Sequence, residues 1–150
     1  MLLLLNKKAR FDYTIAQTYQ AGVILTGGEV KSLRNKSGSL TGSFVKVIGD
    51  ELFLLNAQIT PYKFADTREY DPKRTRKLLL KRKEIIQLKE WSEQKGAVLV
   101  PLSFEVAGRN IKLTLGVGRG KKQFEKRAEL RRKDVERDVQ REMKGKIRVR

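Results

Sequence analysis

The chain has 150 residues, and its 34 Lys and Arg against 17 Asp and Glu give a net charge of +17. That length suits one domain with a modest core, and the absence of cysteine and histidine excludes disulfides, thiolate nucleophiles, the usual zinc sites and acid–base chemistry on histidine. So large an excess of one sign predicts a polyanionic partner, because a merely soluble or thermophilic surface would balance its charges better.

The apolar start MLLLL is the first predicted element. It is too short to span a bilayer, and it lacks the basic residues that precede the apolar core of a signal sequence. We expect a start-site overhang or a frayed first strand, in a cytoplasmic protein.

The next segment begins basic, becomes β-rich and reaches a predicted break at Gly27 and Gly28. After this break, Val30 and Leu33 lie three residues apart, which is helical spacing, and Gly38 is placed to end a helix. A strand followed by a short helix is therefore predicted.

The middle of the chain predicts a hairpin, a loop and a further strand. Two β-prone runs in residues 43–59 surround Gly49 and Asp50, which are typical turn residues. A loop bounded by prolines follows at residues 60–72. The basic run of residues 73–83, KRTRKLLLKRK, contains three leucines that favour a strand.

A helix is predicted next, because Ile85, Leu88 and Trp91 share one helical face and Gly96 lies at the end of the segment. Two alternating runs then surround Gly108 and predict a hairpin with one buried face. The apolar members of these runs are Val98, Val100, Leu102, Phe104 and Val106, then Ile111, Leu113, Leu115 and Val117. Several antiparallel hairpins with two or three short helices predict a mainly β fold, a small closed or nearly closed barrel over residues 1–118.

A basic tail follows a predicted flexible joint between Gly116 and Gly120. Residues 119–150 hold 14 basic and 6 acidic side chains. Their apolar residues form a thin stripe at helical spacing: Phe124, Ala128, Val135, Val139 and Met143. Such a helix is marginal in water, so we expect the tail to order on binding.

The possible catalytic motifs in the sequence are weak. The loop GVGRGKK has too few residues between its glycines for a phosphate loop, and Lys122 stands where a hydroxyl is required. Asp66, Glu69 and Asp71 form an acidic cluster that favours a solvated loop over a metal site. Glu29 leaves three interpretations open: it accepts hydrogen bonds from base edges, orients a neighbouring arginine, or meets a helix dipole.

The basic run at residues 73–83 has seven basic residues and no acid. A charge run usually means a solvated strand edge, but this density exceeds what edge protection needs. Aromatic residues lie just upstream, at Tyr62, Phe64 and Tyr70, where unstacked bases could find partners, although such rings are more often core. The run therefore favours RNA binding.

Six segments between Asn6 and Arg127 resemble, in the same order, those of the bacterial SsrA-binding protein (SmpB) family. They are NKKA, AGVILTGGEVKSLR, LNAQITPY, DPKRTRKLLL, KGAVLVPL and GKKQFEKR. The resemblance implies an OB-like barrel with short helices over residues 1–118 and a tail over residues 119–150. It also implies a non-enzymatic, cofactor-free and monomeric partner of transfer-messenger RNA (tmRNA) in trans-translation.

The resemblance further implies which residues bind. The barrel would grip the elbow and D-loop region of the tRNA-like domain of tmRNA through Asn6, Lys7, Lys8, Arg10, Glu29, Lys31, Arg34 and Lys77. The tail would enter the vacant mRNA channel of a stalled ribosome, fold there as a helix, and meet the small-subunit rRNA of the decoding centre through Gly120, Lys121, Lys122, Phe124, Glu125, Lys126 and Arg127. Many members have His or Tyr in place of Phe124 and Asp in place of Glu125. Elongation factor Tu and alanyl-tRNA synthetase would act on the same RNA.

Three alternatives remain open. The chain could be a general structured-RNA or rRNA-binding OB-fold protein. A nucleic-acid-processing enzyme would need an acidic metal set or a general base, which the sequence does not supply in recognisable form. A membrane-surface protein would need a wider apolar face than the tail stripe offers.

Overall fold

A computed structural model describes residues 1–63 and 69–121, together with Arg127 and Arg131. The chain divides into two compact units, Met1–Gly120 and Lys121–Arg150. Strands of the first unit are β1 (Leu2–Leu5), β2 (Tyr13–Val23), β3 (Gly38–Ser39), β4 (Phe44–Ile48), β5 (Glu51–Leu55), β6 (Gln58–Ile59), β7 (Arg76–Leu79), β8 (Ala97–Ala107) and β9 (Asn110–Gly120). Its helices are α1 (Lys7–Asp12), α2 (Gly27–Arg34) and α3 (Arg82–Glu93).

Seven of these strands form one antiparallel sheet in the order β1-β8-β9-β2-β7-β5-β4, and β3 pairs with β6 in a second small sheet. The predicted mainly β, antiparallel fold with short helices is confirmed. Within the described residues the two edge strands, β1 and β4, do not pair with each other, so the sheet is not closed. The sequence predicted a barrel that is either closed or nearly closed, and the closed form is therefore wrong.

The main core lies on the inner face of this sheet. Side chains from strands and helices have no exposed surface there, including Leu33, Leu52, Leu54, Ile59, Leu88, Phe104, Leu113 and Leu115. Burial of each such side chain stabilises the fold by about 1.5–3 kcal/mol. The predicted face of α3 is confirmed, because Leu88 is fully buried and Ile85 and Trp91 pack against the same cluster.

Several predicted elements are confirmed in place. The β4–β5 hairpin turns at Gly49 and Asp50, and two of the three leucines after Arg76, Leu78 and Leu79, lie in β7. The β8–β9 hairpin turns at Gly108, which has a φ of 63°. None of the described helices is long and apolar enough to cross a bilayer.

The prediction that β8 has one buried face is wrong. The β8–β9 register shifts at Leu102, which has no partner in the ladder. This bulge separates the side chains into two sets: Leu99 and Phe104 join the main core, whereas Val100 and Leu102 pack with Ala9 of α1 in a second cluster. A bulge bends a strand and changes the face that later side chains occupy, so simple alternation fails there.

The apolar start is an ordered edge strand. Leu2, Leu4 and Leu5 pair with β8 as β1, and Leu3 is 4 % exposed within the main core. The start-site overhang is therefore wrong, and the strand is paired rather than frayed.

Two expectations about glycines near α2 are also wrong. Gly27 and Gly28 are the first residues of the helix rather than a break, because Thr26 caps it. The helix ends at Arg34, and Gly38 lies in β3. A Cβ at Gly38 would lie 2.5 Å from the backbone oxygen of Gln58, so this glycine permits close strand pairing.

The predicted flexible joint between Gly116 and Gly120 is instead the end of β9, paired with β2. A Cβ at Gly118 would lie 2.4 Å from the backbone oxygen of Thr14, and one at Gly116 would lie 2.9 Å from Ile15 Cγ2. These glycines therefore allow two strands to approach closely.

Candidate nucleic-acid interface

A buried carboxylate at the start of α2 binds two arginines from the basic run. The Glu29 side chain has no exposed surface, and Arg76 is equally buried. Thr26 N–H donates to Glu29 Oε1 over 2.9 Å, and the guanidinium of Arg74 donates to the same oxygen. Arg76 Nε donates to Glu29 Oε2 over 2.6 Å. Helix α2 and strand β7 are thus joined through one ion cluster.

Arg76 finds acceptors for all of its donors inside the protein. Nη1 donates to Ala57 O over 2.8 Å and to Arg74 O over 2.9 Å. Nη2 faces the Tyr70 hydroxyl and Pro72 O, both at 3.1 Å, and contacts the same carboxylate as Nε. A buried guanidinium is tolerated only when it is paired and hydrogen-bonded in this way. The cluster therefore holds residues 70–74 against α2.

Burial alone would raise the pKa of the Glu29 carboxyl. The hydrogen bonds from Arg74 and Thr26, and the charge and hydrogen bond of Arg76, outweigh burial and hold that pKa below its ordinary value of 4.5. Burial raises the pKa of Tyr70 above its ordinary 10.0, and the charge of Glu29 raises it further. Glu29 is therefore an anion and Tyr70 a neutral phenol at neutral pH.

Acidification is expected to weaken the fold through Glu29. Because its folded-state pKa is depressed, its contribution is complete above about pH 4.5 and is lost as the pH falls through the folded-state value. The free energy of unfolding of the intact chain should therefore approach that of Glu29→Gln as the pH falls below 4.5, measured by urea denaturation. A gap that stays constant between pH 7 and pH 3 would contradict this assignment.

Helix α2, which carries Glu29, and the segment before β7 also present cationic groups to solvent. These groups and a neighbouring aromatic ring form what we call the α2 surface. It consists of Lys31, Arg34, the half-buried ring of Tyr62, and Arg74, whose side chain is 36 % exposed. Lys31 Nζ lies 5.3 Å from the centroid of the Tyr62 ring, a cation–π contact. This surface presents both charge for phosphates and an aromatic ring.

The predicted residues of α1 divide into one buried and three exposed side chains. Asn6 is 4 % exposed: its Nδ2 donates to Pro101 O over 2.8 Å and to Leu40 O over 3.3 Å, and its Oδ1 accepts from Ala9 N–H. It thereby holds α1 to the bulged part of β8. The exposed side chains are those of Lys7, Lys8 and Arg10.

The predicted RNA-binding residues lie on three different elements, and these elements do not all pack on the same part of the core. Helix α1 packs on the second cluster through Ala9, whereas α2 packs on the main core through Leu33. Lys77 is next to Arg76 in β7, so its side chain points to the opposite face of the sheet, where it pairs with Glu51 over 3.0 Å.

Of the predicted decoding-centre residues, Gly120 is exposed and ends β9, Lys121 is half-buried, and Arg127 is exposed. The rest lie outside the described residues: Lys122, Phe124, Glu125 and Lys126. Phe64 and Asp66 lie outside them as well. Within the described residues, no group of three or more His, Cys, Asp or Glu could hold a metal ion.

Sequence reasoning missed the roles of Arg74, Arg76 and Tyr70. One signal was present: Thr26 and Glu29 are three residues apart, the spacing of a capping box, and both of its hydrogen bonds are formed. Glu29 therefore both caps α2 and orients neighbouring arginines. Its oxygens are not presented to solvent, so direct contact with base edges is not available in this conformation.

Comparisons with known proteins give one family. The model described as "SmpB protein" matches residues 3–145. An SsrA-binding protein of Chloroflexus aggregans is 47% identical over 144 residues, covering 95% of this chain and 91% of its own. One from Geobacillus thermodenitrificans is 43% identical, covering 96% and 93%.

A solved structure gives the same result. It was reported under the words "tmRNA-SmpB: a journey to the center of the bacterial ribosome", and one of its chains superimposes with a TM-score of 0.69 at 45% identity. The match covers 82% of this chain and 87% of that one. By sequence over most of its length and by fold, the chain belongs to the SmpB family.

Proposed function

We propose that this chain binds the tRNA-like domain of tmRNA and brings that RNA to stalled ribosomes for trans-translation, as an adaptor without catalysis of its own. The observation that carries the proposal is the α2 surface, whose cations lie on and beside a helix that a buried ion cluster joins to β7. Rigid placement of cations suits a folded RNA, whose phosphates have fixed positions. The similarity to SsrA-binding proteins and to a tmRNA-SmpB structure supports the choice of RNA.

On the RNA side, we assign direct contacts to the exposed cations and indirect roles to the buried residues. Lys7, Lys8, Arg10, Lys31, Arg34 and Lys77 would meet phosphates or base edges. Asn6 would act through α1, which it anchors, and Glu29 through Arg74, which it orients. Each of these buried residues positions other side chains that contact the RNA and does not touch the RNA itself.

On the ribosome side, we propose that the tail enters the empty mRNA channel, with the segment from Gly120 to Arg127 at the decoding centre. Its positive charge suits a channel lined by phosphates, and ordering on binding suits its thin apolar stripe. Elongation factor Tu and alanyl-tRNA synthetase would then act on the same tmRNA, with the chain as a monomer on cytoplasmic ribosomes.

Arg34→Ala is expected to weaken binding of the isolated tRNA-like domain by about tenfold, since a hydrogen bond to a charged group contributes about 1.5 kcal/mol or more. The measurement is a gel shift at several salt concentrations. Lys95→Ala is the control: it removes the same charge from an exposed position after α3, outside the basic run, and should change affinity much less.

Two further comparisons separate the alternatives. A chain ending at Arg127 should keep its preference for the tRNA-like domain over an unrelated hairpin while losing tagging activity on stalled ribosomes. Equal affinity for both RNAs would favour a general structured-RNA-binding protein instead. Equal losses from Arg34→Ala and Lys95→Ala would show that the α2 surface is not the site.

A further inference from the structure

The outward face of β4, β5 and β7 is a largely apolar surface that is partly exposed among the described residues, and we call it the outer β face. Its residues are Phe44, Lys46, Ile48, Glu51, Phe53, Leu55, Lys77 and Leu79. The alternate residues of the same strands, such as Val45, Leu54 and Leu78, are buried in the main core. Because successive side chains of a strand point to opposite faces, this outward set shares one surface.

The strand register places aromatic and basic side chains in adjacent rows. Phe44 pairs with Leu55, and in the next row Lys46 pairs with Phe53, which in turn pairs with Lys77. Phe44 and Phe53 are therefore diagonal neighbours, about 7–8 Å apart. The two aromatic rings are therefore neighbours, and Lys46 and Lys77 lie on either side of Phe53.

Part of the apolar surface of this face is open to solvent, whereas Phe53 and Leu55 are half-buried. Phe44 is 46% exposed, Ile48 is 51% and Leu79 is 50%. Ile24, whose backbone N–H donates to Lys77 O, extends the face and is 48% exposed. A contiguous exposed apolar surface of this kind marks an interaction site more often than scattered single residues do.

Charge decides which partner fits. A second copy of the chain would bring another +17 against the first, so self-association through this face is opposed by repulsion. On the face itself, Glu51 is paired with Lys77 over 3.0 Å, whereas Lys46 is exposed. Rings flanked by lysines match the chemistry of unpaired nucleotides, whose bases stack on aromatic side chains while their phosphates meet cations.

We propose that the outer β face binds a short unpaired RNA segment, with bases stacked on Phe44 and Phe53 and a phosphate at Lys46. This goes beyond the proposed function, since it adds a surface for single-stranded RNA to the one for a folded RNA. The two rings lie within reach of neighbouring nucleotides of one strand. Ile48 and Leu79 extend the apolar surface next to them.

The test uses the full chain and a fluorescent oligonucleotide of about ten uridines, a length within the range that an OB-type barrel binds. Phe44→Ala should weaken binding of this oligonucleotide about fivefold or more, as measured by fluorescence anisotropy. The double variant Phe44→Ala/Lys46→Ala should bind it more weakly still. Ile86→Ala is the matched control, because Ile86 is 51% exposed on α3, outside this face. A 4-thiouridine oligonucleotide should crosslink to peptides of β4 and β5.

Several outcomes would overturn the proposal. Equal losses from Phe44→Ala and Ile86→Ala would do so, as would crosslinks confined to other peptides. Sedimentation that shows a dimer abolished by Phe44→Ala would assign the face to a second copy of the chain. Phe44→Ala should leave binding of the tRNA-like domain within about twofold, whereas Arg34→Ala should weaken it, so failure of this inference is distinguishable from failure of the proposed function.

Discussion

Arg76→Ala is expected to lower the free energy of unfolding by about 3–5 kcal/mol, because it leaves the buried Glu29 carboxylate without its closest cation. It also removes the donors that reach Ala57 O and Pro72 O. Arg76→Lys should destabilise as well, since an ammonium group has three donors and cannot reproduce the planar guanidinium fork. Urea denaturation at neutral pH measures both changes.

Arg34→Ala is the matched control for this experiment, because Arg34 is an exposed arginine on the same helix as Glu29. It should change the free energy of unfolding by no more than about 0.5 kcal/mol. If Arg76→Ala altered stability as little as this control, the buried ion cluster would not be what joins α2 to β7.

Gly118→Ala is expected to destabilise the protein by about 1–3 kcal/mol or more, because its new Cβ would lie 2.4 Å from the backbone oxygen of Thr14. A backbone atom cannot move aside as a side chain can, so β2 and β9 would have to separate. Gly120→Ala in the same strand is the matched control, since nothing lies within 4 Å of a Cβ there. It should leave stability unchanged or raise it by up to about 1 kcal/mol, by restricting the unfolded chain.

Thermal or urea unfolding of both variants decides between two accounts of these glycines. If the segment served as a flexible joint, the two substitutions would have similar effects. If the glycines permit close strand packing, only Gly118→Ala is damaging. A neutral result for Gly118→Ala would contradict the packing account.

Much of the fold follows from local patterns in the sequence. The β4–β5 and β8–β9 hairpins were predictable from β-prone runs around Gly49 and Gly108, and α3 from the spacing of its apolar face. These elements have one regular period and one clear turn each, so local physics is enough. The segment α1 has no such signal: it is six residues long, and Ala9 is its one buried side chain.

The remaining errors come from contacts between distant residues. The bulge at Leu102 lies where the backbone N–H of Asn6 donates to its carbonyl over 2.7 Å, almost one hundred positions away in the chain. Gly38, Gly116 and Gly118 look like a helix end or a flexible joint in sequence, but in the fold they are points where a neighbouring strand passes closely. Neither effect can be obtained from a local window of residues.

The candidate site shows the same division. The resemblance predicted that exposed cations such as Lys31 and Arg34 contact RNA, and it placed Glu29 in the same set of contact residues. In the structure Glu29 is a buried anion that orients Arg74 and anchors Arg76. Loss of RNA binding in a Glu29 variant would therefore report a displaced loop and a weakened fold together, so it needs a stability measurement beside it.

The buried ion cluster also changes what the salt dependence of RNA binding can mean. Seven basic residues between Lys73 and Lys83 suggest a large release of condensed counterions when the run docks on a polyanion. Arg76 is already neutralised inside the protein, and Arg74 shares the same carboxylate. The slope of log affinity against log salt should therefore be shallower than the number of cations in this run implies.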